Sequence, residues 1–290
     1  WAVFGSSRKM RLMSGYATAE QVTPVATMAK NHKSLARFGF RFERGGAHSS
    51  RTMMLDELAA LLGYVDREDA SKSDYLRAVE EDNCLAKRSG KTRRLTYRHL
   101  AELYSLDTAH ILFRALRHFW KRDEAGRPLL ALLCAYARDS IFRSTAPFIL
   151  KCPEGTVINR ESLEEFIDSQ EPGRFSKATL KSTAQNINSS WTKSGHLNGR
   201  VKKVRAHPTP TAGSVSYALL LGYLTGARGQ ELFRTEYIKL LDCPRDKAIE
   251  LAEEASRKGW ITFKRVGDVI EVLFPSLINQ QEQEWLREQG

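Results

Sequence analysis

The amino-acid sequence predicts a mostly α-helical protein with helix-turn-helix and winged-helix modules and a short C-terminal β-hairpin. Apolar side chains recur at helical spacing along most of the chain from residue 52 onward. Segments that contain Gly or Pro separate these helical stretches. Near the C-terminus, a helical stretch is followed by two short alternating segments around a turn, which is the element order of a winged helix.

The chain has 290 residues, which is enough for about two domains. We expect a basic N-terminal arm over residues 1–50 and a helical, helix-turn-helix-like domain over residues 51–150. A second helical domain over residues 151–290 then ends in the winged-helix-like module. The boundary near residue 150 is predicted from Pro147 and from the turn-forming sequence at 153–155.

Before residue 150 the helical segments have recognisable starts and stops. Met54, Leu58 and Leu61 follow helical spacing, and Gly63 is expected to end their helix. Ser71 is a good N-cap for the next helix. The helical segments predicted here are 52–63, 71–87, one that runs through Leu100 and Leu103, one that Asp107 caps, and 129–142.

After residue 150 the strongest helical pattern lies between Ser176 and Gly195. Leu180, Ala184 and Ile187 occupy positions i, i+4 and i+7 of this helix. The helical segments predicted here are 161–170, 176–194, 214–224, 230–241 and 244–258. The strands 260–265 and 269–274 are then expected to form a hairpin around residues 266–268.

The charge of the chain is unusually positive. Lys and Arg total 45 against 34 acids, which gives a net charge of +11 and a pI near 9.5. Two segments contain more than this whole surplus. The first segment holds Lys87, Arg88, Lys91, Arg93, Arg94 and Arg98 with no acid. The second holds Arg174, Lys177, Lys181, Lys193, Arg200, Lys202, Lys203 and Arg205 against Glu171 alone. Such concentration favours a polyanionic partner, with double-stranded DNA first.

The helix predicted over 176–194 has the features of a DNA recognition helix. Its polar face is expected to carry Lys177, Lys181, Gln185, Asn188 and Thr192. Amide side chains such as those of Gln185 and Asn188 bond adenine edges, and lysines reach phosphates. The segment 195–205 would then be a wing or arm along the DNA backbone.

The C-terminal winged-helix candidate is a poorer match to DNA. Its second helix carries Glu250, Glu253 and Glu254, and carboxylates repel phosphates. We therefore interpret this module as a scaffold or protein-contact surface. Within its hairpin, only Lys264 and Arg265 are expected to touch a nucleic-acid backbone.

Catalytic motifs are incomplete in this sequence. Residues 89–92 resemble the end of a P-loop, but Leu85 stands where the first glycine of that motif belongs. Asp268 and Glu271 resemble the acidic pair of a nuclease, but Leu273 replaces the expected lysine. We therefore predict a protein that is not an enzyme and that has no cofactor and no metal site.

The cysteine pattern indicates a reducing compartment. The four cysteines are Cys84, Cys134, Cys152 and Cys243, and no two of them have zinc-ligand spacing. The most apolar windows, 128–137 and 215–224, are about half the ~20 residues that a spanning helix needs. The initial apolar stretch, residues 1–4, is too short for a signal peptide. We expect a cytoplasmic protein without a membrane partner.

Three segments, 175–181, 190–197 and 208–211, together resemble the core of the BrxA-like accessory proteins of bacterial BREX anti-phage defence systems. The resemblance covers about residues 175–240 and consists of a helix, a Gly-hydrophobic turn, a basic stretch and a Pro-rich step into another helix. It implies a mostly helical, non-enzymatic protein that binds double-stranded DNA together with other proteins of a defence complex.

Other functions stay open from the sequence alone. One is a DNA-processing nuclease whose acids converge from distant segments, and another is a replication or transcription regulator. A third is an RNA-binding module, although the chain lacks the aromatic-rich strands that stack single-stranded bases. A fourth is an adaptor whose basic face docks an acidic protein. The oligomeric state is left open as well.

Overall fold

The protein is described here by a computed structural model that covers residues 32–288. The first 31 residues, which make up most of the predicted N-terminal arm, lie outside the described part. The helices before residue 155 are α1 (Leu55–Tyr64), α2 (Lys72–Glu80), α3 (Gly90–Tyr104), α4 (Ile111–Arg122), α5 (Arg127–Arg138) and α6 (Ser140–Lys151). Residues 32–36 are also helical, and Ala47–Ser49 form a 3-10 turn.

The second half continues with helices and five short strands. Its elements are β1 (Val157–Ile158), α7 (Arg160–Gln170), α8 (Lys177–Lys193), β2 (Leu197–Asn198), β3 (Lys203–Arg205), α9 (Ala212–Leu224), a 3-10 turn (Gly229–Arg234), α10 (Glu236–Lys239), α11 (Arg245–Arg257), β4 (Thr262–Val266), β5 (Val269–Leu273) and α12 (Gln280–Arg287). The predicted mostly helical fold with a short C-terminal hairpin is confirmed.

The helix predicted over 129–142 is in fact two helices that meet at Asp139. The Asp139 carboxylate accepts a hydrogen bond of 2.9 Å from the Phe142 N–H and so caps the start of α6. Arg138, Asp139 and Ser140 interrupt the apolar sequence at this break, and Asp139 is a residue type that commonly caps helices. Pro147, expected at a domain boundary, lies inside α6, whose inner face is buried through Phe142 and Ile149.

Two other helix ends differ from the prediction for local reasons. Ser71 caps α2 as predicted, in a capping box with Asp74. The helix then ends at Glu80, because Asn83 and Ala86 adopt left-handed backbone angles of 52° and 50°. Gly63 does not end α1, which runs on to Tyr64.

Asp107 does not cap α4, contrary to the prediction. This helix begins only at Ile111, directly after His110. Instead, the Asp107 carboxylate accepts a hydrogen bond of 3.0 Å from the Ala109 N–H, which stabilises the turn before the helix.

The same order of elements occurs twice in the second half. Over residues 140–205 the order is helix, strand, helix, helix and hairpin, and the antiparallel sheet is arranged β1-β3-β2. Over residues 212–273 the order recurs with a 3-10 turn in place of the first strand. The hairpin turn predicted around residues 266–268 is confirmed, with Gly267 at a φ of 57°. The winged-helix and helix-turn-helix identity of these units stays a prediction.

Helix α9 lies at the centre of the core. Side chains are buried all around it, and it packs against α4, α5 and α11. The hydroxyl of Tyr217 donates a hydrogen bond of 2.9 Å to the Leu112 carbonyl. Buried side chains before and after residue 150 therefore belong to one cluster. Over residues 32–288, no helix has the length and apolarity needed to cross a membrane.

The described part of the predicted N-terminal arm packs into this core. Phe38 is fully buried with its ring edge against Trp285, and Phe40 is 3% exposed. The side chain of Arg138 donates to the Gly39 carbonyl. Residues 38–48 are thus part of the fold rather than an arm, because their aromatic side chains are removed from water.

Candidate nucleic-acid interface

Helix α8 presents a polar surface on its first half. The Ser176 hydroxyl accepts a hydrogen bond of 3.2 Å from the Thr179 N–H and so starts the helix. Ala184, Ile187 and Trp191 are fully buried and hold the opposite face against the core. Three polar side chains are exposed along the outer face: Lys177, Lys181 and Gln185. They are four residues apart and span about 12 Å of helix.

A hairpin follows α8 and projects two cations. Strands β2 and β3 pair antiparallel, with Asn198 opposite Val204, and residues 199–202 form the tip. Arg200 and Lys202 are exposed there, and Val201 between them is 94% exposed. An apolar side chain this exposed at a loop tip shows that the tip packs against nothing in the described chain.

Gly199 is required for the shape of this tip. Its φ is 95°, and a Cβ placed on it would lie 2.1 Å from the Lys202 carbonyl oxygen. We expect Gly199→Ala to destabilise the protein by about 1–3 kcal/mol and to lower duplex-DNA affinity severalfold, because the tip must open. Urea denaturation and fluorescence anisotropy measure the two effects.

Gly155→Ala is the matched control, since Gly155 has a φ of 80° but a Cβ there would meet no atom within 4 Å. The Gly155→Ala variant has the strain of an alanine at positive φ but no steric clash of its Cβ atom. Equal losses of DNA affinity in the two variants would contradict the role assigned to the hairpin tip.

The predicted basic residues divide into free, partnered and buried groups. Five side chains of the second segment have no hydrogen-bond or ion-pair partner among residues 32–288: Lys177, Lys181, Gln185, Arg200 and Lys202. Arg174 pairs with Glu171, and Lys193 pairs with Asp56 at 2.6 Å. Lys203 donates to the Gly199 carbonyl at 2.7 Å, which places it in the hairpin framework.

The prediction that Asn188 lies on the exposed face is wrong. Its side chain is only 5% exposed, and its Oδ1 atom is buried without a partner. The second half of α8 is covered by the 47–49 turn, where the amide of Asn186 donates to the His48 carbonyl at 3.1 Å. Asn188 therefore lies inside the fold and is not placed to read a base.

The prediction that Arg205 contacts DNA is also wrong. The residue is 2% exposed, and its guanidinium donates to the carbonyls of Ile149 and His196. The same guanidinium pairs with Asp242, whose carboxylate also lies 2.8 Å from the His207 ring. Arg205 holds the base of the hairpin to the core, and its partner is 37 residues away, beyond the reach of local sequence patterns.

The first basic segment lies at the start of α3. The Ser89 hydroxyl accepts from the Thr92 N–H at 3.2 Å and begins this helix inside the basic run. Lys91, Arg94 and Arg98 follow at helical spacing and are exposed. Arg88 is exposed too, whereas the Nε atom of Arg93 is buried without a partner. Arg98 lies 4.0 Å from Glu102.

Neighbouring acids on α1 hold the two basic segments next to each other. Asp56 pairs with Lys193 at the end of α8, and Glu57 pairs with Lys87 at 3.2 Å. Because Asp56 and Glu57 are adjacent in the chain, the start of α3 and the end of α8 flank the same helix terminus. The first basic segment therefore begins near Lys193, at the C-terminal end of α8.

Neither α3 nor α8 has an acid in its first turn. The positive end of a helix dipole ordinarily favours Asp or Glu at that position. Here, Lys91 and Lys177 occupy the first turns instead. The helix dipoles thus add to the positive potential of both segments and favour a bound anion.

A buried hydrogen-bonded chain escaped the sequence analysis. The Nδ1 atom of His48 lies 2.9 Å from the Asp139 carboxylate, and its Nε2 atom lies 3.0 Å from the Ser190 hydroxyl. This is the connectivity of a hydrolase triad. The residues are 91 and 142 positions apart in the chain, and no motif links them.

The environment of this triad is that of a structural network. All three residues are at most 1% exposed, and the Ser190 hydroxyl already accepts from the Met53 N–H at 2.8 Å. Burial alone would raise the pKa of Asp139, but the His48 ring and the backbone N–H groups outweigh it, so this pKa is lowered. The carboxylate is therefore a buried anion that holds three segments together.

A third group of cations lies on α4 and is not evident from the charge runs of the sequence. Arg114, Arg117, Lys121 and Arg122 lie on α4 without an intervening acid. They were overlooked because the apolar stripe of this helix dominates its pattern. The signal for these cations is their spacing of three or four residues on the polar face of α4, where no acid occurs.

The described residues hold no group of three or more His, Cys, Asp or Glu side chains arranged to bind a metal ion. No protein-family model matches the chain, and a search of curated proteins found no match. The likeness to BrxA-like proteins thus rests on the residues between 175 and 240, and it stays a prediction.

Proposed function

We propose that this protein binds double-stranded DNA without catalysing a reaction. The observation that carries the proposal is the set of unpartnered polar side chains on the first half of α8 and on the hairpin tip. Exposed cations that form no ion pair with a carboxylate are what a phosphate backbone requires. In helix-turn-helix proteins it is likewise the first half of the recognition helix that reaches base edges.

The arrangement of residues 140–205 supports a winged-helix mode of binding. In this proposal α8 enters the major groove, and the hairpin between β2 and β3 lies along the backbone with Arg200 and Lys202 on phosphates. Gln185 is the base-reading residue, because its amide is exposed one turn after Lys181 on the same face of the helix. The first basic segment extends the contact beyond the end of α8.

The role of the protein in the cell is a further part of the proposal. The resemblance to BrxA-like accessory proteins supports a DNA-binding component of a bacterial anti-phage complex. The acidic side chains of α11 support protein contact on that module, because Glu250 and Glu253 leave its surface unsuited to phosphates.

The salt dependence of duplex binding tests the proposal. Seven exposed cations of the two segments form no ion pair within the described chain, although Lys181 interacts at longer range with Glu161: Arg88, Lys91, Arg94, Lys177, Lys181, Arg200 and Lys202. If all of them contact phosphates, the log–log slope of affinity against salt is about −6 for B-form DNA. Anisotropy of a labelled duplex of about 20 bp, measured over about 50–300 mM salt, gives this slope directly.

Two competitors separate the alternatives in the same experiment. Unlabelled single-stranded DNA and double-stranded RNA of equal length should displace the duplex weakly. Stronger displacement by the RNA would assign the surface to RNA. The absence of duplex binding at the lowest salt concentration would contradict the proposal and leave the basic surface to a protein partner.

A further inference from the structure

A cavity of about 320 Å³ lies between α4 and residues 276–277, away from the two segments discussed so far. The cations of α4 form most of its wall, with Arg114, Arg117, Lys121 and Arg122 all lining it. The volume is at the lower end of the range for small-molecule sites. The cavity thus has the size and the charge of a site for a small anion.

Two of the four cations already have carboxylate partners. Arg114 pairs with Glu282 at 2.7 Å, and Lys121 pairs with Asp66 at 2.7 Å. The two salt bridges position the ends of the wall, and their charges are compensated. The cations available to bind a ligand are therefore Arg117 and Arg122.

Arg117 is a buried cation with no close ion pair in the described chain. It is 6% exposed, and its guanidinium donates to the backbone carbonyls of Arg67 and Glu68 while lying over the Tyr75 ring. The Asp66 carboxylate, which pairs with Lys121, also interacts with the Arg117 charge, and this interaction helps to lower the pKa of Asp66. Because Lys121 and Arg117 share this one carboxylate and incompletely compensated buried charge is costly, the guanidinium favours an additional anion from outside the chain.

Arg122 and His118 provide further donors at the same place. Arg122 donates to the His118 carbonyl at 3.0 Å and has no carboxylate partner in the described chain. The Nε2 atom of His118 is buried and makes no hydrogen bond. Burial and the Arg122 charge lower the pKa of His118 to about 4, so the ring is neutral near pH 7 and can donate one N–H.

Among the described residues, the one carboxylate that lines the cavity belongs to Glu68, which is exposed and forms no ion pair with Arg117 or Arg122. We propose that this cavity binds the phosphoryl group of a small phosphorylated ligand, held by Arg117 and Arg122 with a hydrogen bond from His118. Planar guanidinium groups match phosphate oxygens in pairs, and a phosphate dianion would supply the negative charge that Arg117 and Arg122 lack at close range. This inference does not depend on DNA binding.

Phosphate-dependent stabilisation tests the site. The melting temperature is measured with inorganic phosphate, with pyrophosphate and with sodium chloride at equal ionic strength. We expect phosphate and pyrophosphate to raise the melting temperature more than chloride does, and calorimetric titration to give the affinity. Arg122→Gln should weaken that affinity about tenfold, as expected for one charge-assisted hydrogen bond.

Arg257→Gln is the matched control, because Arg257 is exposed at the end of α11 and borders a different part of the surface. Phosphate stabilises many proteins without a specific site. That general effect would be equal in the two variants, and equality would overturn the proposal. His118→Phe, which retains ring packing against Phe119, supplies a second variant that removes only the donor.

The imidazole nitrogens of His118 give a readout that does not depend on stability. Their NMR signals should move on addition of phosphate in the wild-type protein and in Arg257→Gln. A duplex of about 20 bp that displaces bound phosphate would assign the cavity to the nucleic-acid interface, since the duplex offers only backbone phosphates. That result would overturn the small-ligand proposal while supporting DNA binding.

Discussion

Replacing the four free cations of α8 and the hairpin tip by alanine is expected to abolish most duplex binding. The variant carries Lys177→Ala, Lys181→Ala, Arg200→Ala and Lys202→Ala. With three of seven phosphate contacts left, the log–log salt slope should fall from about −6 to about −3. Affinity near 100 mM salt should fall at least about a hundredfold, and anisotropy with the same labelled duplex measures both quantities.

The matched control removes the same net charge from the C-terminal module. It carries Arg245→Ala, Lys247→Ala, Arg257→Ala and Lys258→Ala, all of them exposed. We expect its slope to stay near that of the wild-type protein. Equal losses in the two variants would mean that total charge, rather than the surface of α8 and the hairpin, determines binding.

The second large effect is expected in the buried network. Asp139→Ala removes the cap of α6 and the charge that faces His48, and it leaves the His48 ring and N–H without their acceptor. Removing one partner of such a buried pair costs about 3–5 kcal/mol of unfolding free energy. Urea denaturation at pH 7 measures the loss.

The pH dependence of stability should change in the same variant. The pKa of Asp139 is lower in the folded protein than its unfolded value of about 3.9. Its stabilising contribution is therefore complete above that unfolded value and is lost as the pH falls through the folded pKa. The wild-type curve should descend in this acidic range, and the Asp139→Ala curve should descend less.

Asp56→Ala is the control for the network, because its salt bridge to Lys193 is at the surface, with the Asp56 side chain 80% exposed. Exposed pairs contribute about 0–1 kcal/mol. A loss below about 1 kcal/mol in Asp139→Ala as well would contradict the structural role that we assign to the network.

The parts of the fold that the sequence predicts well are those with local signals. The sequence predicts helix α8 over 176–194, and in the structure Ser176 and Ser194 are its N-cap and C-cap. This agreement arises because the apolar stripe and the hydroxyl cap are both local signals. The C-terminal hairpin was also expected, since Gly267 marks its turn within two alternating strands.

The features that the sequence does not predict depend on residues that are distant in the chain. Asn188 was assigned to the surface because a helical wheel has one apolar face, but α8 is covered on a second side by the 47–49 turn. Arg205 was counted with the surface cations, although Asp242 neutralises it in the core. His48, Asp139 and Ser190 carry no common motif. In each case tertiary packing, which a single sequence does not reveal, decided the environment.

The recurrence of one element order in residues 140–205 and 212–273 has a consequence for symmetry. The helices in equivalent positions are α8, which is basic on its exposed side, and α11, which carries several acids. A symmetric dimer binds a palindromic DNA site because its two identical units contact two matching half-sites. Two units with different surfaces cannot bind a palindrome in this way. One chain of the proposed DNA-binding protein would therefore recognise an asymmetric DNA site with a defined direction. Its second unit, which contains α11, would then be available to contact a protein partner.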